Sequence, residues 1–396
     1  MRTKRLVLIT IFSIINLPLI PVQSQPSATF NNQTGELHLP RVEFIFNESE
    51  PRNCVEATMQ LSSSSEPIRF TLPQQNYTAI NCEKSSILTR VQQRGKLLCA
   101  GRDDLPGFNN YDNQGRPAGF DFDLCQAVAA AVLDSGTTER INVPTENREA
   151  VLKPGTEQVD ILSRNTTWTT GRESSWGNFT WIMFYDGQGF MVRTASGITT
   201  LEGLKDRAIC VAANTTSEAN LVDRNFKVVK ADESTQAIDR YFAGECEGVS
   251  ADNSTLAIGR ARAPVPDEHL ILDIPPISKE PLGPVVPYGD DKWLAIVNTV
   301  LFALINAEEL GITQAKVDEM IATSNNHQVK RLLGVEGSFG QETLGLTADA
   351  MARVIRKVGN YGEIYERYFG WGKLYIPRSL NELTSHGGSL YAPPLR

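Results

Sequence analysis

At 396 residues the chain is long for one hydrophobic core and suits two or three domains. Its 41% hydrophobic and 21% charged residues are those of a globular protein, which excludes global disorder. A net charge of −8 argues against nucleic acid or an anionic membrane surface as the main partner.

The N-terminus carries Arg2, Lys4 and Arg5, then the apolar run "LVLITIFSIINLPLI" and "PVQSQP". A basic start, an apolar stretch and small residues at Val22 and Ser24 read as a secretory signal peptide over residues 1–24, cut near Ser24. A membrane anchor is the weaker alternative, because the run is short and contains Pro18. Without this segment 35 basic side chains face 46 acidic ones, a net charge of −11.

Residues 25–85 alternate apolar and polar positions in "GELHLPRVEFIF" and "IRFTL", with turns at "LSSSSEP" and "PQQNYT". This pattern predicts a small all-β accessory module. It carries no constellation that implies chemistry, so a spacer or a docking surface is its expected role.

From "SSILTRVQQRGKLLCAG" onward the texture is α/β. A short helix ending near Gly95 leads to a buried strand in "KLLCAG". The helix "FDFDLCQAVAAAVL" follows, with Leu124, Val128 and Val132 on one face and Asp121 or Asp123 available to cap it. "VDILS" is the next strand. A second block alternates strands ("RAICVA", "FKVVKA", "CEGVSA", "HLILDI") with helices ("TTSEANLVDRNF", "STQAIDRYFAGE", "STLAIGRARA"). Such lengths predict βαβ units around a largely parallel sheet. Beyond "GPVVPYG", Trp293, Ile296, Val297, Val300, Leu301 and Leu304 recur at helical spacing and predict a core helix.

The six cysteines, Cys54, Cys82, Cys99, Cys125, Cys210 and Cys246, all follow the signal segment. An even count in an exported chain predicts disulfides. Several pairings stay open; the sequence-local couples Cys54–Cys82, Cys99–Cys125 and Cys210–Cys246 are preferred. No CxxC is present and the four histidines are scattered, so neither a metal site nor a cofactor is expected. GxSxG, Walker, strand-bound GxGxxG and HExxH motifs are all missing, which disfavours an enzyme.

Chemistry gathers at strand ends. After "VDILS" the chain offers Asn165, Thr166, Thr167, Thr169 and Thr170, then Arg172. This is either a solvated loop or a polar cup in which a guanidinium grips a carboxylate with two parallel hydrogen bonds. Thr215 and Thr216 open a helix after "AICVAAN", where they either cap it or add donors for an anion. Asp252 ends "CEGVSAD" and either caps the next helix or receives an ammonium. Arg102 follows "LLCAG" and is either a loop cation or a ligand contact. Taken together these groups match an amino acid.

The segments "LSRNTTWTTGRESS", "YDGQGFMVR", "ISKEPLGPVV", "LFALINAEELGITQAKVDEM", "KRLLGVEGSFG", "VGNYGEIYERYFG" and "GGSLYAPPLR" resemble the general L-amino-acid-binding periplasmic proteins of polar amino-acid ABC importers, in solute-binding protein family 3. The resemblance runs from about residue 86 to the C-terminus. It implies a type II two-lobed α/β fold behind the all-β module, closing on its ligand. Lobe 1 would comprise residues 86–190 and 286–396, the latter with a C-terminal extension, and lobe 2 residues 191–285. The crossings are expected near Gly189–Arg193 and Pro281–Val285.

By the same resemblance, Thr169 and Arg172 occupy a Thr-x-x-Arg motif whose arginine holds the α-carboxylate, with Asn165 and Thr167 beside it. Thr215 and Thr216 match paired threonines of lobe 2, Asp252 matches the acid for the α-ammonium, and Arg102 matches an arginine for a side-chain carboxylate. Cysteines 99, 125, 210 and 246 fit the family pattern. The chain departs from it at Ala212, Ala213 and Asn214, where relatives carry glutamine and glycine before the threonines; this leaves the local turn open.

The expected function is a monomeric periplasmic subunit that performs no covalent chemistry. It would bind a free polar or acidic L-amino acid, preferring glutamate and aspartate, and deliver it to the membrane subunits of an ABC permease. A sensory binding protein and a dehydratase-like enzyme on the same fold are the rival readings.

Overall fold

In the computed structural model the described residues are the strands within 29–81 and the chain over 86–153, 156–371 and 374–396. The signal segment 1–24, Cys82 and the side chain of Cys54 lie outside them, and with them the Cys54–Cys82 expectation. The chain divides into two compact units with the boundary between residues 84 and 85.

The N-terminal unit is an antiparallel sheet of β1 (Thr29–Asn31), β2 (Glu36–Phe44), β3 (Asn53–Gln60), β4 (Arg69–Thr71) and β5 (Ile80–Asn81). The register of β2 against β3 shifts between Leu39 and Val42, the span that holds Pro40. Proline has no N–H to give to the ladder, so a bulge there is its natural place.

The second unit begins with helix α1 (Ile87–Arg94), stopped by Gly95 in the left-handed region, and strand β6 (Leu97–Gly101). A small hairpin, β7 (Asn110–Tyr111) and β8 (Pro117–Ala118), leads into α2 (Phe120–Val132). Gly119 precedes α2 at φ 135°, and a Cβ there would strike the Phe108 carbonyl, so only glycine fits this entry. Next come β9 (Thr138–Asn142), β10 (Ile161–Leu162), α3 (Thr170–Ser175) and β11 (Asn178–Phe179). Strand β12 (Phe184–Arg193) then leaves this lobe.

The second lobe contains β13 (Ala208–Ala212), α4 (Thr216–Asp223), β14 (Lys227–Ala231), α5 (Ser234–Phe242), β15 (Gly248–Asp252), α6 (Asn253–Arg262) and β16 (His269–Ile271). Strands β17 (Lys279–Leu282) and β18 (Val285–Val286) lead back, followed by α7 (Asp291–Glu309). Trp293, Ile296, Val297, Val300, Leu301 and Leu304 of α7 are all fully buried, as their spacing requires.

Each lobe is built on its own sheet. Lobe 1 has the order β11-β18-β10-β6-β9, and lobe 2 the order β14-β13-β15-β12-β16. The sheets are mixed where a largely parallel one was expected. β6, β9 and β10 run parallel, as do β13, β14 and β15, while β18 and β12, the strands that cross between lobes, pair antiparallel with their neighbours. Helix-linked βαβ units give parallel neighbours, whereas a strand arriving from the other lobe has no such constraint.

The first crossing also lies earlier than expected. Residues 188–192 of β12 already pair with β15, and residues 184–187 pair with β17. The hinge is therefore a two-stranded ribbon of Phe184–Gly187 against Lys279–Leu282. Disulfide Cys99–Cys125 ties β6 to α2 within lobe 1, and Cys210–Cys246 ties β13 to the approach of β15 within lobe 2.

Candidate functional site

The carboxyl ends of β6, β9 and β10 in one lobe face those of β13 and β15 in the other, the edge where open α/β sheets hold ligands. Between them lies one cavity, lined from lobe 1 by Arg102, Thr145, Arg148, Arg164, Asn165, Thr167 and Arg172. Lobe 2 contributes Thr215, Thr216, Ser217, Ser234 and Asp252 among others. The lobes meet here: the hydroxyls of Thr167 and Thr216 lie 3.5 Å apart.

The Thr-x-x-Arg stretch forms the start of α3. Thr169 is the N-cap, its hydroxyl accepting from the Arg172 N–H at 3.2 Å, and it is not among the cavity-lining residues. The Arg172 guanidinium donates to the Thr167 carbonyl at 2.9 Å and lies 4.7 Å from the Trp176 ring centroid. Burial lowers its pKa, and Glu280 and Asp252 act in the opposite direction. Asn165 sits at φ 47°, a left-handed conformation that asparagine tolerates. Asp121 fixes it by accepting its backbone N–H at 2.7 Å, and the buried Nδ2 of Asn165 has no hydrogen-bond partner among the described residues.

In lobe 2 Thr215 is the N-cap of α4, accepting from the Glu218 N–H at 3.1 Å. The Thr216 hydroxyl donates to Glu280 at 2.9 Å. Asn214 stands at φ 58°, a left-handed conformation that asparagine tolerates, so it supplies this turn without a glycine. Asp252 precedes α6 but makes no side-chain capping bond. Burial, reinforced by the nearby Asp186 and Glu280, pushes its pKa well above the ordinary carboxylate range, against the pull of Arg172 and Arg148.

Arg102 is buried, and its charge is already matched. Its Nε and Nη2 donate to Asp104 at 2.5 and 2.8 Å, Nη1 donates to Ser234 at 3.2 Å, and Glu233 lies 3.4 Å away.

Three charged residues escaped the sequence reading. Glu233, from lobe 2, accepts from Arg164 Nη2 at 2.9 and 2.8 Å, from the Thr145 N–H at 2.8 Å and from the Thr145 hydroxyl at 2.7 Å. Burial lowers the pKa of Arg164 to about 10, with Arg102 adding repulsion. Arg148 is the third. It is 4% exposed, donates to the carbonyls of Thr145 and Asn214 at 3.0 Å each, and lies 5.3 Å from the Trp176 centroid. Burial, then repulsion from Arg172 and Arg164, lowers its pKa well below the usual arginine value. Among the described residues neither Arg148 nor Arg172 forms an ion pair with a carboxylate, unlike Arg102 and Arg164. Arg164 stood inside the quoted "LSRNTT" run, and the helix start in "ADESTQ" could have flagged Glu233. "ENREAV" offered no signal for Arg148.

The geometry is that of a closed polar cleft with two unmatched guanidiniums on one side and one carboxylate, Asp252, on the other. Among the described residues no cluster of histidine, cysteine, aspartate or glutamate is arranged to hold a metal ion.

Comparison with known proteins agrees with this architecture. Residues 97–317 match the model for bacterial extracellular solute-binding proteins, family 3. The general L-amino acid-binding periplasmic protein AapJ of Rhizobium johnstonii is 45% identical over 322 residues, covering 79% of this chain and 93% of that protein. The glutamate/glutamine/aspartate/asparagine-binding protein BztA of Rhodobacter capsulatus is 39% identical, over 79% of this chain and 94% of its own. A solved periplasmic binding protein of an ABC transporter from Brucella ovis, with glutathione bound, superposes with a TM-score of 0.73 at 40% identity, covering 78% of this chain and 99% of that one. The chain belongs to the bacterial extracellular solute-binding proteins, family 3.

Proposed function

We propose that this chain is the periplasmic binding subunit of an ABC importer for polar L-amino acids, with a preference for glutamate and aspartate. Arg148 and Arg172 carry the reading: two buried or half-buried cations share one cavity without acid partners among the described residues. A buried charge left unpaired is costly, so a site of this kind gains by taking up carboxylates. Arg172 would hold the α-carboxylate and Arg148 the side-chain carboxylate, while Asp252 would take the α-ammonium. The role first expected of Arg102 passes to Arg148, because Arg102 spends its charge on Asp104 and Glu233. The names of the Rhizobium and Rhodobacter relatives, both amino-acid-binding proteins, support the substrate class.

Closure over the ligand would present one surface made of both lobes to the permease, which is how binding becomes delivery. Calorimetric titration of the purified protein with the twenty amino acids and glutathione tests the reading. Saturable heat for glutamate and aspartate, weaker for glutamine and asparagine, is the expected result. Equal or tighter binding of aliphatic amino acids, or heat that continues with product formation, would overturn it.

A further inference from the structure

Arg148 and Arg172 pose a physical problem. They approach each other in one cavity, where no carboxylate among the described residues is close enough to form an ion pair with either, and like charges at low dielectric repel. An aspartate or glutamate between them would remove the repulsion, but it would also consume the charge that a ligand needs. Arg102 illustrates that outcome, since Asp104 occupies it in fork geometry. Something else must therefore hold the two free guanidiniums.

The backbone supplies part of the support, through the carbonyls of Thr145 and Asn214 for Arg148 and of Thr167 for Arg172. Asp252 and Glu280 add longer-range attraction for Arg172, and one indole touches both cations. The Trp176 ring centroid lies 4.7 Å from the Arg172 guanidinium carbon and 5.3 Å from that of Arg148. Arg172 and Trp176 are four residues apart at the end of α3, and the Trp176 N–H donates to the Arg172 carbonyl at 2.8 Å, so one helical turn fixes their approach. Behind, Trp176 packs on the lobe 1 cluster that includes Leu152, Leu162, Phe179 and Val285. The ring is thus anchored on the core while both cations lie against it.

We infer that Trp176 is a positioning residue that holds both carboxylate-receiving arginines through cation–π contacts without neutralising either. An aromatic quadrupole attracts a guanidinium yet leaves its hydrogen-bond donors and net charge available to a ligand. Trp176 would not touch the amino acid; it acts through Arg148 and Arg172. This inference rests on the ligand reading given above. It also predicts that the indole reports binding, because carboxylates arriving on both arginines change the field at the ring.

The test is titration of wild type, Trp176→Phe and Trp176→Leu with glutamate and glutamine, with indole emission followed in parallel. Trp176→Leu keeps an apolar side chain but removes the aromatic face, and should weaken glutamate by about tenfold or more. Trp176→Phe should retain affinity within about threefold, since phenylalanine is a poorer but real cation–π partner. Glutamine should lose less than glutamate in Trp176→Leu, because it needs only Arg172. The glutamate-induced emission change of the wild type should vanish in Trp176→Phe, a readout that holds even if Trp176→Leu fails to fold. Equal affinities for wild type and Trp176→Leu, equal losses for the two variants, or an emission change that persists in Trp176→Phe would overturn the inference. Wild type that binds neither amino acid would instead overturn the ligand reading itself.

Discussion

Glu233 reaches Arg164 across the cleft, its two carboxylate oxygens accepting from one guanidinium nitrogen at 2.9 and 2.8 Å. The acid belongs to lobe 2 and the base to lobe 1, so this ion pair exists only when the lobes are together. Thr145 adds a backbone N–H and a hydroxyl to the same carboxylate. Burial alone would raise the pKa of Glu233, yet Arg164 and Arg102 hold it below the usual glutamate value.

Glu233→Gln should therefore weaken glutamate and glutamine by similar factors, about ten- to hundredfold, because hydrogen bonds to charged groups contribute roughly 1.5–3 kcal/mol. The loss arises from closure and not from ligand contact. In a double-mutant cycle with Arg164→Gln the two losses should fall short of additive. Titration of the four proteins with both ligands checks this, and strictly additive losses would count against a latch. The sign with pH follows from the depressed pKa: the contribution is complete above the ordinary glutamate range and is lost as pH falls through the lower folded value.

The cavity arginines should fail in three different ways. Arg172→Ala should cost every amino acid alike, by about thirtyfold to several thousandfold, given roughly 2–5 kcal/mol for truncating a desolvated charge pair. Arg148→Ala should cost glutamate and aspartate a similar amount but glutamine and asparagine much less. Arg102→Ala should strip a partner from Asp104 and Glu233 and so lower all four affinities evenly. One titration series at fixed pH and salt separates these patterns. A loss confined to the acids in Arg102→Ala would restore that residue to the side-chain carboxylate.

Proton uptake and ligand uptake should compete at Asp252. Asp186 and Glu280 face it with like charge, Arg172 and Arg148 with opposite charge, and burial dominates, raising its pKa; burial also brings the neighbouring Asp186 to about 6. A carboxyl whose folded pKa exceeds its unfolded value costs the ligand-free protein stability as pH rises through that window. An ammonium placed against Asp252 favours its charged form, so binding should release protons and tighten as pH rises through the raised pKa of this carboxyl. Glutamate should also raise Tm more at the upper end of this window. Calorimetry in buffers of different ionisation enthalpy measures the proton count, and Asp252→Asn should abolish the pH dependence together with much of the affinity.

Local patterns carried most of the fold. The apolar spacing from Trp293 to Leu304 became the buried face of α7, and the short runs "LLCAG" and "AICVA" became β6 and β13. Strand direction was less legible: β12 and β18 are antiparallel to their neighbours because they return from the opposite lobe, and nothing within ten residues encodes that. The site divided in the same way. Residues at strand ends, such as Arg172 and Asp252, could be placed by topology. Arg148 and Glu233 could not, since Arg148 meets Asn214 66 positions away and Thr145 meets Glu233 88 positions away, contacts that only a closed cleft creates. Asn214, where the sequence left the local turn open, takes an ordinary left-handed conformation.

The two crossings between the lobes are laddered to each other, Phe184 to Leu282 through Gly187 to Lys279. Separate tethers could twist independently and allow one half-site to slide or swivel past the other. Strands joined by main-chain hydrogen bonds must bend together, which leaves the molecule a single axis of rotation. The disulfides add to this by stiffening each lobe without bridging the cleft. Opening and closing then reduce to one angle, so Thr167 finds Thr216, and Arg164 finds Glu233, in the same registration each time the cleft shuts.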